Sequence, residues 1–457
     1  MIWRATDLKD VSRHSFSYDI VFSKRGATIV AKRHSEPEST AENESPAIRG
    51  NDMTIKKPMT IFLVLLALSL VTGFCAADSA QNAAETASAS QGVYLSDAQL
   101  YDKLLGGWIG QMAGVTWGAP TEFRWRGTII PAEEFPAWQP EMINGGLRQD
   151  DLYVEIPFLD AMKENGAMCP PEKMAEKFRD STFGLWHANY QGRENLRNGI
   201  PYPDSGHYKY NRHADDIDWQ IECDFLGQMY PGLVNEAALR AFEVGHIMNY
   251  GDGVYGGVFI TAMHAAAYTA GSIEEIARTG IDAVPEGTKF RTLVEEVFAD
   301  WKEGKKWEEV WQILQDKWGE DDKCPGEDMA GPGNIDAKLN SGYVLIGLLW
   351  GGGNMDETII ISGRCGQDSD CNPSSAASIL GNFLGASAID EKYTQKLDRD
   401  GEQFAHTDYT FNGAVKLNYD LMTEVLSKNS AVREGEGWRL PARKEVQPVP
   451  FEQWTEE

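Results

Sequence analysis

Three groups of acidic residues lie beside glycines or at turns instead of along helix faces. They contain Glu122, the pair Asp150 and Asp151, and the pair Asp368 and Asp370. Carboxylates that meet in one cleft repel each other unless cations or protons bind between them. They are also the ligands that Mg²⁺ prefers and the usual acids and bases of glycosidic hydrolysis. A fold that brings these groups together would form a site for cations and for acid–base chemistry.

Each group alone has an ordinary structural explanation. Glu122 follows a Gly/Pro turn, and two acids in a first helical turn are favoured by the helix dipole. The string from Asp368 to Asn372 is similar to the start of an EF-hand calcium loop. That loop needs Gly at its sixth position and Glu at its twelfth, where this chain has Pro373 and Ile379. An EF-hand is therefore excluded.

The order of the three groups resembles the ADP-ribosylglycohydrolase family, whose members are all-α enzymes with a binuclear magnesium site. The family's first motif, Gly-x-x-x-Gly-Asp-x-x-Gly followed by a Glu, matches residues 106–122, with Gln111 in place of Asp. The second, Thr-Asp-Asp-Thr, is found at 149–152 as Gln-Asp-Asp-Leu. The third, Gly-x-Asp-x-Asp-Thr, is found at 366–371 and ends in Cys. The resemblance covers residues 100–388.

The resemblance implies two Mg²⁺ ions held by the residues at the motif positions. These are Glu122, Gln149, Asp150, Asp151, Asp368, Asp370 and Cys371. Glu122 is expected to contact the metal or the leaving group, while Asp151 and Asp368 are expected to position the attacking water. These three are the predicted catalytic residues.

Two further segments are similar to those that line the ADP-ribose pocket of the family. They supply the predicted substrate-binding residues Asp218, Gln220, His246, Gly253 and Tyr255. A single His in a helical segment is equally often a hydrogen-bonded structural residue. Both interpretations of the histidine stay open at this stage.

Three departures from the motifs indicate a divergent member. Gln111 and Leu152 replace a carboxylate and a hydroxyl, and Cys371 offers a soft thiol that Mg²⁺ disfavours. Cys371 also lies close enough in sequence to Cys365 for a disulfide in an exported protein. The leading hypothesis is a Mg²⁺-dependent hydrolase of an ADP-ribosyl or related ribosyl bond. The alternative is a non-catalytic protein that binds ADP-ribose or a sugar on the same fold.

The elements that position these groups are predicted to be helices. A capping box at Ser96 to Gln99 starts the first helix, and apolar periodicity predicts seven more. These cover residues 152–164, 238–247, 258–270, 290–302, 307–318, 341–350 and 374–386. Small residues at three- or four-residue spacing within the first and last helices favour close helix packing. We therefore expect one all-α domain over residues 93–430.

Aromatic and acidic residues outside the motifs receive structural interpretations. Most of the tryptophans are expected in the core, with one or two left to stack on an adenine or sugar ring. The set considered is Trp108, Trp117, Trp125, Trp186 and Trp219. Asp215 and Asp216 are expected to be solvated.

The composition of the 457 residues excludes several functional classes. The formal charge of −27 argues against sequence-independent nucleic-acid binding and against a basic membrane-surface protein. The 14 Trp, 16 Tyr and 18 Phe exclude disorder throughout. Six cysteines without a CxxC pair do not predict a zinc site. A small-molecule or ADP-ribosylated substrate remains as the expected partner.

The amino end has the pattern of a secretory signal, preceded by an extension. Residues 1–52 are expected to be non-native or disordered, and 53–77 have the basic, apolar and small-residue regions of a signal peptide. The apolar run is too short for a stable membrane span. We expect a linker at 78–92, an irregular tail at 431–457, and a secreted or periplasmic protein. A lipid anchor at Cys75 is disfavoured because bulky Phe74 precedes it.

Overall fold

The computed structural model describes residues 18–23, 26–31, 92–321 and 335–454. The expected signal peptide lies outside the described residues, as does the expected linker except for Gly92. Among the described residues, no helix has both the length and the apolar character needed to cross a bilayer.

The chain forms two units, Met1–Phe74 and Cys75–Glu457. In the first unit, strands β1 (Tyr18–Ser23) and β2 (Gly26–Ala31) form an antiparallel hairpin. The rest of the expected non-native or disordered extension, residues 1–52, lies outside the described residues.

The second unit is helical, as the sequence predicted. Its described residues contain the α-helices α1 (Asp97–Gly118), α2 (Asp150–Tyr153), α3 (Glu155–Asn165), α4 (Pro171–Asp180), α5 (Ala188–Arg197), α6 (Asp218–Ile221), α7 (Asp224–Gln228), α8 (Val234–Gly245), α9 (Asp252–Ala267), α10 (Ile273–Ala283), α11 (Lys289–Lys302), α12 (Trp307–Trp318), α13 (Ala337–Gly351), α14 (Met355–Arg364), α15 (Cys371–Leu384) and α16 (Phe411–Lys428). Short 3-10 helices cover Ala119–Thr121, Pro140–Arg148, Ala386–Ala388 and Glu391–Tyr393.

The start of α1 has the cap that the sequence predicts. The Ser96 hydroxyl accepts a hydrogen bond from Gln99 N at 3.1 Å, and the Gln99 side chain accepts one from Ser96 N at 2.9 Å. The reciprocal bonds satisfy two backbone donors that the first helical turn leaves free. The prediction of a single helix at 152–164 was wrong in one respect, because α2 and α3 are separate helices that meet at Val154.

Helices α1 and α15 pack with their backbones in contact along a line of glycines. An added Cβ would lie 2.6 Å from Ala377 C at Gly110, 2.5 Å from Pro373 C at Gly114, and 2.6 Å from Asp370 Cα at Gly118. Side chains at these positions would force the helices apart. The predicted stripe of small residues therefore places the end of α1 directly against the turn that carries Asp370.

The tail after residue 431 is more ordered than the sequence predicted. Strands β4 (Val432–Arg433) and β5 (Gly437–Arg439) pair, and β5 also pairs with β3 (Tyr94–Ser96) at the start of the unit. Trp438, Leu440 and Val449 are buried. The helical domain thus extends beyond the boundary expected at residue 430, because tail side chains complete its core.

Candidate metal and active site

Five of the predicted metal ligands meet in two groups that share one residue. Ligand atoms of Asp150, Asp151 and Cys371 lie within 4.8 Å of one another, and so do those of Asp368, Asp370 and Cys371. The second and third acidic clusters of the sequence therefore form a single cluster in space, with the Cys371 thiol common to both groups.

Two loops hold the third cluster in place beside the end of α1. Phe123 N donates to Gln367 O at 3.1 Å, and Gln367 N donates to Trp125 O at 2.9 Å. Phe123 and Gln367 both have positive φ values, 50° and 57°. Such backbone strain in residues other than glycine persists where the surrounding structure fixes it, often at functional sites. The Thr121 and Ser369 hydroxyls add a contact at 2.9 Å.

Several carboxylate oxygens of the cluster are buried without a hydrogen-bond partner. They include both oxygens of Asp151 and Oδ1 of Asp368 and of Asp370. These three residues are at most 3% exposed. A buried carboxylate that accepts no hydrogen bond is costly unless a cation or proton compensates it. The described donor set therefore fits a bound divalent cation, with the soft Cys371 thiol as its least suitable member.

The raised pKa values of these acids show that the cluster disfavours additional negative charge. Burial, followed by the charge of Asp150, raises the pKa of Asp151 to about 8. Burial raises the pKa of Asp370 to about 7, where contact with Asp368 opposes the rise and nearby Asp151 adds to it. Burial and the charge of Asp370 raise the pKa of Asp368 well above its usual value. Without cations, the cluster holds protons at neutral pH.

The cluster opens into a cavity of about 360 Å³, a size typical of small-molecule sites. Its lining residues are Glu122, Phe123, Asp150, Trp186, His187, Asn189, Ile217, Asp218, Ile221, Ile335, Asp368 and Cys371. Glu122 is at the rim, where partial burial and the charges of Asp370 and Asp150 raise its pKa. Solvent reaches Glu122, so water screens these charges more than it does inside the cluster.

Seven of the predicted site residues do not line this cavity, four of which are Gln149, Asp151, Gln220 and Asp370. Asp151 lies behind it with no exposed surface, so the structure favours metal binding over contact with substrate. Gln149 is half-buried beside Asp150 but is not part of the cavity wall. Gln220 is buried, and its Oε1 accepts a hydrogen bond from Ser341 Oγ at 2.7 Å.

Asp218 does line the cavity, and it also fixes a wall of it. Its carboxylate accepts hydrogen bonds from Ala188 N at 3.0 Å and Asn189 N at 3.2 Å. These are free donors at the start of α5, so the carboxylate stabilises the helix end as a capping group does. Asp218 thereby anchors the segment that carries Trp186 and His187.

Of the other predicted substrate-binding residues, Tyr255 lines a second cavity, of about 320 Å³, which the C-terminal segment partly walls. His246 Nε2 and Glu452 Oε1 are 2.7 Å apart, and Glu452 N donates to the Tyr255 hydroxyl at 2.6 Å. An added Cβ at Gly253 would lie 3.0 Å from Asn249 Cγ, so close packing explains this glycine. The structure therefore places His246, Gly253 and Tyr255 apart from the residues that line the carboxylate cavity.

Gln111, which replaces the Asp of the first motif, is fully buried behind the cluster. Its Nε2 donates to Glu155 Oε1 at 3.2 Å, and Phe225 N donates to the same oxygen at 3.1 Å. An amide at this position can donate to Glu155, which an ionised Asp cannot do. The substitution therefore belongs to a buried polar network that supports the site.

Two polar residues of the cavity wall, His187 and Asn189, were not assigned a functional role from the sequence. Trp186 belongs to the set of tryptophans expected mostly in the core, with one or two left for stacking. It is exposed, and its Nε1 donates to Asp150 Oδ2 at 3.0 Å. His187 and Asn189 follow it around the start of α5. An aromatic residue and a His before a polar helix start are only a weak sequence signal for a binding site. The signal becomes recognisable once Asp218 is known to accept hydrogen bonds from the start of α5.

The expectation for Asp215 and Asp216 was wrong, and the pairing of Cys365 with Cys371, which the sequence left open, is not found. Asp215 and Asp216, expected to be solvated, are almost completely buried. Their backbone packs against neighbouring segments, where Ala337 N donates to Asp215 O at 2.9 Å and Asn249 Nδ2 donates to Asp216 O at 2.7 Å. Cys365 and Cys371 are free thiols. Cys365 Sγ donates to the carbonyl of Ile361 at 3.3 Å inside helix α14, whereas Cys371 lies in the carboxylate cluster.

Comparison with known proteins identifies the family. The family model of ADP-ribosylglycohydrolase matches residues 96–421. A solved structure described as an ADP-ribosylglycohydrolase-related protein complex matches with 13% identity and a TM-score of 0.46, over 72% of this chain and 99% of that one. No curated protein matches the chain significantly. The assignment therefore rests on the family model, which covers well over half of the sequence.

The match includes all three motifs and nearly every helix of the second unit. It confirms the all-α fold class and the enzyme class expected from the sequence. The family is metal-dependent, and the clustered acids are candidate ligands. The chain belongs to the ADP-ribosylglycohydrolase family and is a glycosyl hydrolase.

Proposed function

We propose that this enzyme hydrolyses an ADP-ribosyl or closely related ribosyl glycosidic bond at the carboxylate cavity, with two Mg²⁺ ions as cofactors. The observation that carries the proposal is the set of buried, unpartnered carboxylate oxygens on Asp151, Asp368 and Asp370, next to a cavity of substrate size. Two ligand groups that share Cys371 support two adjacent cation positions.

The choice of Mg²⁺ follows from the donor atoms. The cluster is made mostly of carboxylate oxygens, which suit hard cations such as Mg²⁺. Asp150, Asp151, Asp368 and Asp370 are the proposed ligands. Glu122 at the rim and Gln149 beside Asp150 are proposed to complete the shell, directly or through water. Cys371 is the weak member, because a thiol is a poor ligand for this ion.

Bound Mg²⁺ would supply Lewis acidity and lower the pKa of a water molecule held against the substrate. Asp368 lines the cavity and is proposed to orient that water and take up its proton. Glu122, an exposed residue of the same cavity wall, is proposed to contact the substrate. Asp151 lies too deep for either role and is proposed to hold metal.

The cavity wall also favours a substrate with a ring and several hydroxyl groups. Trp186 is 65% exposed and tied to Asp150 through its indole nitrogen, so its ring face is available for stacking on a sugar or base. Asp218 and Asn189 add polar groups near the same edge. The four acids that line the cavity attract cations and repel phosphate groups. Any phosphate of the substrate is therefore expected to lie away from them.

The test compares the full-length protein with Asp368→Asn and with Asp408→Asn, an exposed acid in the loop before α16, as the control. Calorimetry on protein stripped with EDTA measures Mg²⁺ binding, and chromatography measures release of ADP-ribose from N-linked and O-linked ADP-ribosides. We expect Asp368→Asn to weaken Mg²⁺ binding and to lower turnover at least 100-fold, while the control behaves as the wild type.

Three results would contradict parts of the proposal. Unchanged Mg²⁺ binding and turnover in Asp368→Asn would refute the assignment of the metal and active site. Binding of ADP-ribose without hydrolysis of either linkage would support the non-catalytic alternative. Hydrolysis of a ribosyl bond without the ADP group, but of neither ADP-riboside, would retain the site and change the substrate.

A further inference from the structure

His187 is the one basic residue among the described residues that line the carboxylate cavity. The charged residues of the same wall are Glu122, Asp150, Asp218 and Asp368. In the proposed reaction Glu122, Asp150 and Asp368 bind cations, water or the substrate. A leaving group still needs a proton when the glycosidic bond breaks, and the roles proposed for these acids do not supply it.

The ring of His187 faces a buried carboxylate. Its Nδ1 lies 3.3 Å from Asp216 Oδ2, and Asp216 has no exposed surface. A second ring, that of His213, donates from Nδ1 to the same oxygen at 2.9 Å. The two imidazoles are perpendicular, with centroids 5.3 Å apart. Asp216 Oδ2 is therefore the shared partner of both imidazole rings.

The hydrogen bonds show which histidine can carry charge. Arg212 Nε donates to His213 Nε2 at 3.2 Å. A guanidinium can only donate, so His213 Nε2 must be unprotonated and its single proton must be on Nδ1, toward Asp216. His213 is then held neutral, and the same tautomer makes its Nδ1 unsuitable as a metal ligand. The negative charge of Asp216 therefore favours the protonated form of His187.

Further charges around His187 act in the same direction. Burial alone would lower the pKa of His187, but the Asp216 and Asp218 carboxylates outweigh burial and the small opposing effect of His213, so the pKa is raised. Burial also raises the pKa of Asp216, so the two groups compete for one proton. The hydrogen bond from His213 stabilises the ionised carboxylate and so favours a proton on His187.

The other ring nitrogen is free to act. Within the described part of the chain, His187 Nε2 has no hydrogen-bond partner. The residue precedes helix α5, whose start Asp218 holds, and its neighbour Trp186 is bonded to Asp150. Backbone and side-chain bonds on both sides thus fix the imidazole at the edge of the cavity near the carboxylates.

We propose that His187 is the general acid of the reaction, with Asp216 as its positioning residue. The bond from the anomeric carbon to the leaving atom breaks with its electron pair on the leaving atom, which takes the proton from His187 Nε2. The oxygen of water bonds to the anomeric carbon, and the water loses its proton to a carboxylate of the cavity. Neutral His187 then regains a proton from solvent. This proposal rests on the proposed function.

The test exploits the dependence of acid catalysis on the leaving group. Full-length wild type, His187→Gln and the control His207→Gln are assayed with Mg²⁺ on ADP-ribose joined to phenols, from the acidic 4-nitrophenol to unsubstituted phenol. A good leaving group does not need a proton, whereas a poor one does. We expect His187→Gln to lose about 100-fold in kcat on the phenol substrate and less than about 5-fold on the nitrophenol substrate. Mg²⁺ binding should not change.

Asp216→Asn provides a second, milder variant. It should show the same dependence on the leaving group and lower the pKa of His187 measured by NMR, which an effect on folding alone would not do. An equal loss on all phenols, a rise in KM without a change in kcat, or full activity of His187→Gln would each overturn the assignment. A wild type that hydrolyses none of the substrates would instead overturn the proposed function, and with it this role.

Discussion

Substitution of Gly114 by Ala tests whether the glycine line of α1 positions the metal site. An added Cβ would lie 2.5 Å from the carbonyl carbon of Pro373 and 2.6 Å from Cα of Ser374. Carbon atoms in contact are normally about 3.5–4.0 Å apart. Helices α1 and α15 would therefore have to separate by about 1 Å. The displaced residues directly follow the turn from Asp368 to Cys371.

The expected cost follows from the kind of atoms involved. Overpacking usually costs about 1–3 kcal/mol, and the upper end applies because backbone atoms cannot rotate away from the new methyl group. Replacing Gly by Ala within a helix contributes about 1 kcal/mol in the other direction. The net loss of unfolding free energy is about 2 kcal/mol, which for a domain of this size lowers Tm by about 3–4 °C.

The assay is urea and thermal unfolding with and without Mg²⁺, followed by calorimetric titration of Mg²⁺ below Tm. The control is Gly413→Ala in helix α16, where the added Cβ would be 3.3 Å from Thr410 Oγ1 and the neighbours can adjust. We expect Gly114→Ala to be less stable and to bind Mg²⁺ at least about 10-fold more weakly, a difference of 1.4 kcal/mol. A Gly114→Ala protein with wild-type stability and Mg²⁺ affinity would refute the argument.

Three further predictions concern the cluster and the tail. Cys371→Ser replaces a soft ligand with a hydroxyl, so calorimetry should show tighter Mg²⁺ binding; weaker binding would contradict the role of the thiol. In EDTA, Tm should fall as pH rises from 5 to 8. The folded state holds protons on Asp151 (pKa about 8) and Asp370 (pKa about 7) that the unfolded chain releases near pH 4. With saturating Mg²⁺ this decline in Tm should shrink, and a Tm that does not change with pH in EDTA would show that the acids are ionised. Glu452→Gln weakens the contact with His246, so limited proteolysis should remove the C-terminal segment faster, and an unchanged cleavage rate would contradict a holding role.

Much of the site could be predicted because its signals are local in sequence. The pairs Asp150–Asp151 and Asp368–Asp370 each lie within a few residues, and their order along the chain identifies the family. The glycine spacing in α1 predicts close packing, and the structure has it. The capping residues Ser96 and Gln99 mark the first helix.

The surroundings of His187 could not be predicted in the same way. Asp215 and Asp216 are polar residues in a segment without apolar periodicity, which is typical of a solvated loop. Their burial depends on contacts with the start of α13 and with Asn249 after α8, and no local pattern encodes those contacts. The same applies to Trp186, whose exposure depends on the position of Asp150 more than 30 residues earlier.

The tail shows a third limit. Its prolines predict irregular structure, and its two strands are too short for a periodicity signal. Tyr94 is paired with Arg439 across almost the full length of the domain. Pairing over such a separation depends on the completed fold rather than on neighbouring residues.

The three-stranded sheet joins the two ends of the helical domain. Leu440 N donates to Val93 O at 2.7 Å, beside the pairing of β3 with β5. Because β3 and β5 pair near the two ends of the helical domain, a linker could connect residues beside this sheet, and the chain could be opened at an exposed loop elsewhere. Circular permutation is thus a practical route for this fold, with new ends placed far from the carboxylate cavity. Truncation of the chain near residue 430 would instead leave β3 without its partner and expose the core beneath Trp438 and Leu440.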